Sequence, residues 1–322
     1  MTVQFYQSTD ASAPVLTGQV GSLVALLDAC LVNGYGSKSA AGWTIAQTAT
    51  NKRSYKQGAG SNGYYLDVND AAPTAATEAQ VSGFETVSAV GTGTGQFPTS
   101  AQSSFFAIWR KSASADATAR PWRLLADSTC VYLFVDTGDY TVPNYACSAM
   151  FGDFFSYKAG DAYNTMIIGR TGQNNGSSLY ENFGALNNNG NSFSSAGVIP
   201  GHYIDRSWTG VGGSIAVSKV GSGLNGAGNE VSGNSQSLVG YPNGPDGALE
   251  LSPIWIGHSN SMRGYMKGIW AVCHFQPLSH GDTFNGSGNM TGRTFMALNV
   301  NSNFNGSYTN GQIVIETSNT WS

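Results

Sequence analysis

Short apolar runs separated by glycine and asparagine follow one another along most of the chain. They are rich in β-branched and aromatic residues and are bounded by turn formers, which is typical of β-strands. The clearest are GWTIAQTA, GYYLDVND, SSFFAIWRKS, CVYLFVDT, NTMIIGR, GSIAVSKVG, LSPIWIGH, GIWAVCHF, RTFMALNV and QIVIETS. Because helices do not alternate with these runs, the pattern predicts a mainly β fold. We expect an antiparallel β-sandwich or barrel-like architecture with long Gly/Asn-rich loops and one N-terminal helix.

One segment, at about residues 20–33, has the period of a helix instead. Its apolar residues recur at steps of three and four: Leu23, Leu26, Leu27, Cys30 and Leu31. Ser22 is predicted to cap the start of this helix, and Gly34 and Gly36 to end it. A helix with one apolar face must pack on another part of the fold.

A change in composition suggests a division of the chain. The glycine-rich stretch VGTGTGQFPTSAQ lies near residues 90–102. It is a possible connection between an N-terminal lobe of residues 1–89, with the helix and some strands, and a larger β lobe of residues 103–322. The same stretch could equally be a surface loop of one continuous domain.

The segment FGDFFSYKAGDAYNTMIIGR combines acids and aromatic rings in a pattern that suggests an active site. It is better explained as a hairpin, with arms at 151–158 and 162–169 joined by a glycine-containing turn. Asp153 and Asp161 then lie near opposite ends of one arm, too far apart for the carboxylate pair of a glycoside hydrolase. If the chain is nevertheless a hydrolase, the acids to test are Asp153, Asp161, Asp205 and Glu181.

Composition and charge exclude several classes of protein. With 41% hydrophobic and 11% charged residues, 42 glycines and many aromatics, the chain should fold rather than stay disordered. Its net charge of −4 and its lack of a basic stretch argue against nucleic-acid binding. The small cluster of Lys52, Arg53 and Lys56 is interpreted as a solvated strand edge that lysines protect against mispairing.

No sequence feature suggests export or membrane insertion. The start MTVQFYQSTD has no signal-peptide pattern, and no apolar run is long enough to span a bilayer, so we expect a protein made in the cytosol. The cysteines form no Cys-x-x-Cys pair, and we expect small buried hydrophobes rather than ligands. They are Cys30, Cys130, Cys147 and Cys273, of which Cys130 and Cys147 could form a disulfide only outside a reducing compartment.

Motifs for cofactors and metals are missing or weak. Gly221, Gly223 and Gly226 match the spacing of a dinucleotide-binding loop, but the residues after them do not resemble the helix that such a loop requires. His274, His280 and Asp282 could in principle bind a metal, yet their spacing gives no fixed ligand face. We therefore predict no cofactor, no metal and no catalytic residues.

Aromatic residues have two interpretations. In the strands they should form the core: Phe106, Trp109, Tyr132, Phe134, Trp255 and Trp270. In the asparagine-rich loops they could stack on a glycan or contact a receptor on a cell surface. The candidates for this surface recognition are Tyr180, Phe183, Trp208 and Tyr241.

Several segments together resemble virion structural proteins of tailed bacteriophages. They are LDACLVNGYGSKSAAGW, FGDFFSYKAGDAYNTMIIG, RGYMKGIWAVCHFQPLSHGDTF, GRTFMAL and IVIETSNTW, and the resemblance spans nearly the whole chain. It brings no catalytic residue with it. It implies a protein assembled in the host cytoplasm and present in the virion as many copies in symmetric contacts.

The sequence therefore predicts a non-enzymatic structural component of a tailed-phage virion, a homo-oligomer that binds other virion structural proteins. The tail and baseplate region is favoured over a capsid decoration protein. The alternative from a different class is a module that binds a host-surface glycan or receptor through its loops.

Overall fold

The computed structural model describes residues 2–100, 106–138, 147–171, 198–212, 215–221, 249, 251–258, 261–272, 278–300 and 312–321. The fold is mainly β and antiparallel, with a sandwich-like arrangement of sheets and one helical segment, as predicted. In chain order the strands are β1 (Gln4–Gln7), β2 (Thr44–Ala49), β3 (Lys52–Lys56), β4 (Tyr65–Asn69), β5 (Glu78–Phe84), β6 (Thr86–Ala89), β7 (Thr92–Thr94), β8 (Ala107–Arg110), β9 (Trp122–Ala126), β10 (Cys130–Val135), β11 (Cys147–Asp153), β12 (Phe155–Ser156), β13 (Thr165–Ile168), β14 (Arg170–Thr171), β15 (Val198–Ile204), β16 (Ile215–Gly221), β17 (Leu251–His258), β18 (Ser261–Val272), β19 (Thr283–Asn285), β20 (Thr294–Asn299) and β21 (Gln312–Glu316). A short 3₁₀ turn, Gly288–Met290, lies between β19 and β20.

The described strands form three sheets. The largest has thirteen strands in the order β1-β9-β10-β11-β13-β15-β16-β17-β18-β21-β20-β19, with β12 added beside β18. A six-stranded sheet has the order β14-β8-β5-β4-β3-β2, and β6 and β7 form a two-stranded ribbon. Every described pairing is antiparallel.

Strand β10 shows where the core sits, because it is buried on both faces. Side chains on one face join the cluster that contains the helix and the six-stranded sheet: Val131, Leu133 and Val135. Side chains on the other face join a cluster shared with β17, β18, β20 and β21: Cys130, Tyr132 and Phe134. The large sheet therefore folds back over itself, and β10 lies in a central layer between two cores.

Three of the six predicted core aromatics lie in these two clusters, and Trp270 lies in a smaller third cluster with Phe295 and Val314. Trp109, Tyr132 and Phe134 are fully buried and Trp270 nearly so. Phe106 and Trp255 are half-buried instead. The interpretation of the strand aromatics as core is confirmed for the first four.

The helical segment lies where it was predicted and consists of an α-helix followed by a π-helical turn. Helix α1 (Ser22–Leu27) continues directly into a π-helical turn, Asp28–Asn33, which ends at Gly34 with φ 76°. All five apolar residues of the predicted face are fully buried. The positive φ explains the glycine, because other residues seldom adopt it.

The prediction that Ser22 caps the helix is wrong. The N-cap position is Gly21, and the Ser22 hydroxyl donates instead to the carbonyls of Thr17 and Gln19. The carboxylate of Asp70, which follows β4, accepts the backbone N–H of Leu23 at 2.8 Å. A distant acid thus satisfies a free helix N–H, which local sequence cannot reveal.

The basic cluster also lies in an unexpected place. Strand β3, which carries Lys52, Arg53 and Lys56, lies between β2 and β4, so the interpretation as a sheet edge is wrong. Arg53 pairs with Thr48 of β2 on one side and with Val68 of β4 on the other. Its Nη2 is 3.1 Å from the carboxylate of Asp28, so Arg53 ties the helical segment to the sheet.

The predicted division near residues 90–102 stays a prediction. Strand β5 from before this stretch pairs with β8 from after it. The first cluster contains side chains from both sides, for example Leu66 and Leu124.

Candidate functional site

The predicted hairpin is present at its base and departs from the prediction at its tip. Strands β11 and β13 pair from Met150↔Ile168 to Asp153↔Thr165. Beyond this point Phe155 and Ser156 pair with β18 instead of returning along their own hairpin. The tip, residues 154–164, is therefore attached to a strand about a hundred residues away in the sequence.

A buried ion pair holds the tip in that position. Arg263 of β18 donates through Nε and Nη2 to the two carboxylate oxygens of Asp161, at 3.1 and 3.0 Å. Each side chain is 1% exposed. Burial alone would raise the pKa of Asp161, but hydrogen bonds from Arg263 and Ser156 outweigh it and lower the pKa below its ordinary value. Arg263 also donates to the carbonyls of Tyr163 and Arg206, so one guanidinium joins three segments.

Beside this ion pair, apolar side chains remain in contact with solvent. Phe155 is 43% exposed, and Tyr157 and Met262 are each 55% exposed. The ring of Phe155 stacks on that of Tyr265 with centroids 4.5 Å apart, and Tyr157 meets Phe155 edge-on at 5.8 Å. We call Phe155, Tyr157, Met262 and Tyr265 the hairpin patch. Large apolar residues exposed together, unlike single ones, are typical of an interaction surface.

Of the residues predicted for surface recognition, the described part of the chain contains one. Trp208 is half-buried, its ring meets that of His258 edge-on at 5.2 Å, and its carbonyl accepts a hydrogen bond from Lys158 of the hairpin tip. Tyr180, Phe183 and Tyr241 lie outside the described residues. Their role in recognition stays a prediction.

Asp153, at the base of the hairpin, is bound by three donors. Its carboxylate accepts from Gln57 Nε2 at 3.0 Å, from the Asn62 backbone N–H at 2.8 Å and from Thr165 Oγ1 at 2.7 Å. Burial raises its pKa, and these hydrogen bonds oppose the shift. The side chain joins residues 57–62 to the large sheet, which is a structural task.

Asp205 has a different environment, because a second carboxylate lies beside it. Tyr64 donates its hydroxyl to Asp205 Oδ2 at 2.9 Å, and burial raises the pKa of Asp205 to about 7. Arg206 donates through Nε to Glu85, and the same nitrogen is 3.6 Å from Asp205. Sequence analysis named Asp205 but missed Glu85, since only the tertiary structure joins the ends of β5 and β15. Glu181 lies outside the described residues.

The structure describes two of the three residues considered as metal ligands, His280 and Asp282. His280 Nδ1 accepts the Asn299 N–H at 3.1 Å, and Asp282 accepts the Ser279 N–H at 2.6 Å. His274 lies outside the described residues, among which no group of three or more metal-binding side chains occurs. Within the same residues, no helix is long and apolar enough to cross a membrane.

Three of the four cysteines are described. Cys30, Cys130 and Cys147 are buried free thiols, and Cys273 lies outside the described part of the chain. In the pairing of β10 with β11, Cys130 is opposite Gly152 and Cys147 is opposite Val135, so the two thiols lie at opposite ends and form no disulfide.

Comparison with known proteins does not assign this chain to a family. The models of known protein families yield no match for this chain, and a search of curated proteins yields none either.

Proposed function

We propose that this chain is a non-enzymatic structural component of a tailed-phage virion, present in many copies, and that it contacts neighbouring virion proteins through the hairpin patch. The observation that carries the proposal is the combination of exposed aromatic side chains with a fixed backbone beneath them. The resemblance of the sequence to virion structural proteins supplies the class of particle.

The chemistry of the hairpin patch suits a protein partner. Aromatic residues and methionine are enriched at protein–protein interfaces, where flat rings bury a large area at small entropic cost. The ion pair between Asp161 and Arg263 fixes the backbone that carries Phe155 and Tyr157. A surface that is already ordered loses less entropy when it binds.

The described acids support a scaffold function. Asp70, Asp153 and Asp161 each accept hydrogen bonds that join segments distant in the sequence. A carboxylate in such a bond links elements of the fold, whereas a general acid or base must reach a substrate. In the proposed scaffold, these three side chains hold segments of the fold together.

The proposed assembly takes place in the host cytoplasm and ends in the virion. Its partners are other copies of the chain and other structural proteins of the particle. We favour a position in the tail or baseplate over one as a capsid decoration protein, because the chain presents a sheet-based body and a separate, clamped contact surface that can join unlike partners.

The experiment is to assemble particles in infected cells with a double variant, Phe155→Ser and Tyr157→Ser. We expect the amount of this chain per particle, measured by mass spectrometry of purified particles, to fall at least about tenfold, because each buried aromatic contributes on the order of 1–3 kcal/mol to an interface. The matched control is Val15→Ser, which removes an apolar side chain that is 62% exposed outside the patch.

Two results would contradict the proposal. One is normal incorporation of the double variant; the other is absence of the wild-type chain from purified particles. We expect the double variant to keep a thermal stability close to that of the wild type, since neither aromatic side chain belongs to a buried core cluster.

A further inference from the structure

Strand β2 forms one end of the six-stranded sheet, where it pairs with β3. Among the described residues, no strand pairs with its other edge. Strand β6 of the ribbon lies near β2 but pairs with β7 instead. Four of the six side chains of β2 are exposed: Thr44, Ala46, Thr48 and Ala49. An edge of this kind presents a row of N–H and C=O groups that have no partner strand.

Strand β2 also lacks the residues that commonly prevent a sheet edge from pairing. Its sequence, TIAQTA, contains no charged residue and no proline. A bulge between Ile45 and Gln47 bends its first half, whereas Gln47, Thr48 and Ala49 pair regularly with β3. The second half of β2 is therefore a regular, uncharged edge, to which an extended segment can add as a further strand.

Positive charge lies one strand further in. Lys52 and Lys56 of β3 alternate with Tyr55, which belongs to the first core cluster, so the two lysines lie on the outer face of the sheet. Lys56 is exposed, and its Nζ is 5.5 Å from the centroid of the Tyr65 ring. Within the described ranges, neither lysine takes part in an ion pair. Their charges are available to a partner.

The residues of β2 beside these lysines are small. Ala49 is directly opposite Lys52, and Thr44 is directly opposite Lys56. A long lysine side chain can extend over such a neighbour, so each ammonium group can meet a carboxylate on a strand beyond β2. Asp67 of the same face lies on the other side of β3, and its carboxylate already accepts two hydrogen bonds.

We propose that β2 binds an acidic, extended segment of a neighbouring virion protein as a further strand of this sheet, and that Lys52 and Lys56 select this segment by its carboxylates. Backbone hydrogen bonds to β2 attach the segment, and the two lysines supply the complementary charge. A second copy of the chain fits less well through its own β2, since both copies would bring positive charge to the contact. This contact depends on the proposed function, because the particle supplies the partner.

The experiment compares the reactivity of single lysines in the isolated chain and in purified particles, by brief acetylation and mass spectrometry. We expect Lys52 and Lys56 to react at least about tenfold more slowly in the particle, because a buried ion pair opens to the reagent only rarely. Lys38, which pairs with Asp10 of its own chain, is the internal control and should react equally in both samples. A carbodiimide, which joins a lysine amine to a carboxylate in contact with it, should link Lys52 or Lys56 to another protein of the particle.

A charge reversal tests the same contact independently. When Lys52→Glu is combined with Lys56→Glu, like charges meet across the contact, and we expect the amount of this chain per particle to fall at least about tenfold. Lys52→Arg combined with Lys56→Arg is the matched control, because it keeps both charges and should be incorporated like the wild type.

The outcomes separate this contact from the proposed function. If the particles contain the chain but Lys52 and Lys56 react as fast there as in the isolated chain, the contact is wrong and the proposed function stands. Normal incorporation of the charge-reversed variant would overturn the contact in the same way. Absence of the chain from the particles would overturn both. The lysine reactivity is measured on the wild type, so it decides the matter even if the charge-reversed variant fails to fold.

Discussion

At the scale of single residues, the clearest feature is a buried ion pair under the helix. Lys111, just after β8, donates to Asp70 and also to the Gln19 carbonyl, and the two charged side chains are 1% and 0% exposed. Burial raises the pKa of Asp70 and lowers that of Lys111, while their mutual attraction opposes both shifts. Asp70 at the same time accepts the Leu23 N–H, so the pair joins helix, loop and sheet.

Removing one member of this pair should be costly. Lys111→Met leaves the Asp70 carboxylate buried without its cation, and we expect the free energy of unfolding to fall by about 3–5 kcal/mol. Adding Asp70→Asn should recover most of this loss, because the amide oxygen can still accept from Leu23 and no charge remains. Urea unfolding measures both variants. A loss under about 1 kcal/mol for Lys111→Met, or losses that simply add in the double variant, would contradict this account.

At the scale of elements, the sequence predicts a strand or a helix correctly where the local composition and spacing of apolar residues determine the secondary structure. Runs such as CVYLFVDT and LSPIWIGH have the composition of strands, and both are strands. The helical face around Leu27 follows from the spacing of its apolar residues. The spacing of apolar residues does not predict that the helix continues as a π-helical turn at Asp28–Asn33.

Contacts between distant segments could not be predicted. The hairpin tip leaves its own arm because Arg263, about a hundred residues later, offers two donors to Asp161. The acid pair of Glu85 and Asp205 and the capping of the helix by Asp70 have the same origin. The sequence selects Asp153, Asp161 and Asp205 only as acids to test for hydrolase activity. Their partners could not be assigned, since pairing depends on how the sheets pack.

The clamp on the hairpin tip leads to a prediction for this element. In Arg263→Met the buried Asp161 loses both of its guanidinium bonds, so the tip should detach from β18. We expect trypsin to cleave after Lys158 at least about tenfold faster than in the wild type, because cleavage requires local opening. Arg53→Met, which removes an Arg–Asp pair elsewhere, is the control and should leave this cleavage rate unchanged. Equal cleavage in Arg263→Met and the wild type would show that the ion pair does not hold the tip.

At the scale of the whole molecule, the large sheet folds back over itself and forms a common layer for two cores. One core is shared with the helix and the six-stranded sheet, the other with the C-terminal strands. Such a body is stiff, because closely packed side chains on both faces of β10 resist displacement. The proposed contact surface is carried on its outside by β12 and β18.

The most direct measurement is a cryo-electron microscopy map of purified particles at a resolution that traces side chains. We predict that the chain is present in a copy number set by the symmetry of the particle, with Phe155 and Tyr157 buried against a neighbouring protein. A map in which the chain is absent, or in which the hairpin patch of every copy faces solvent, would contradict the account.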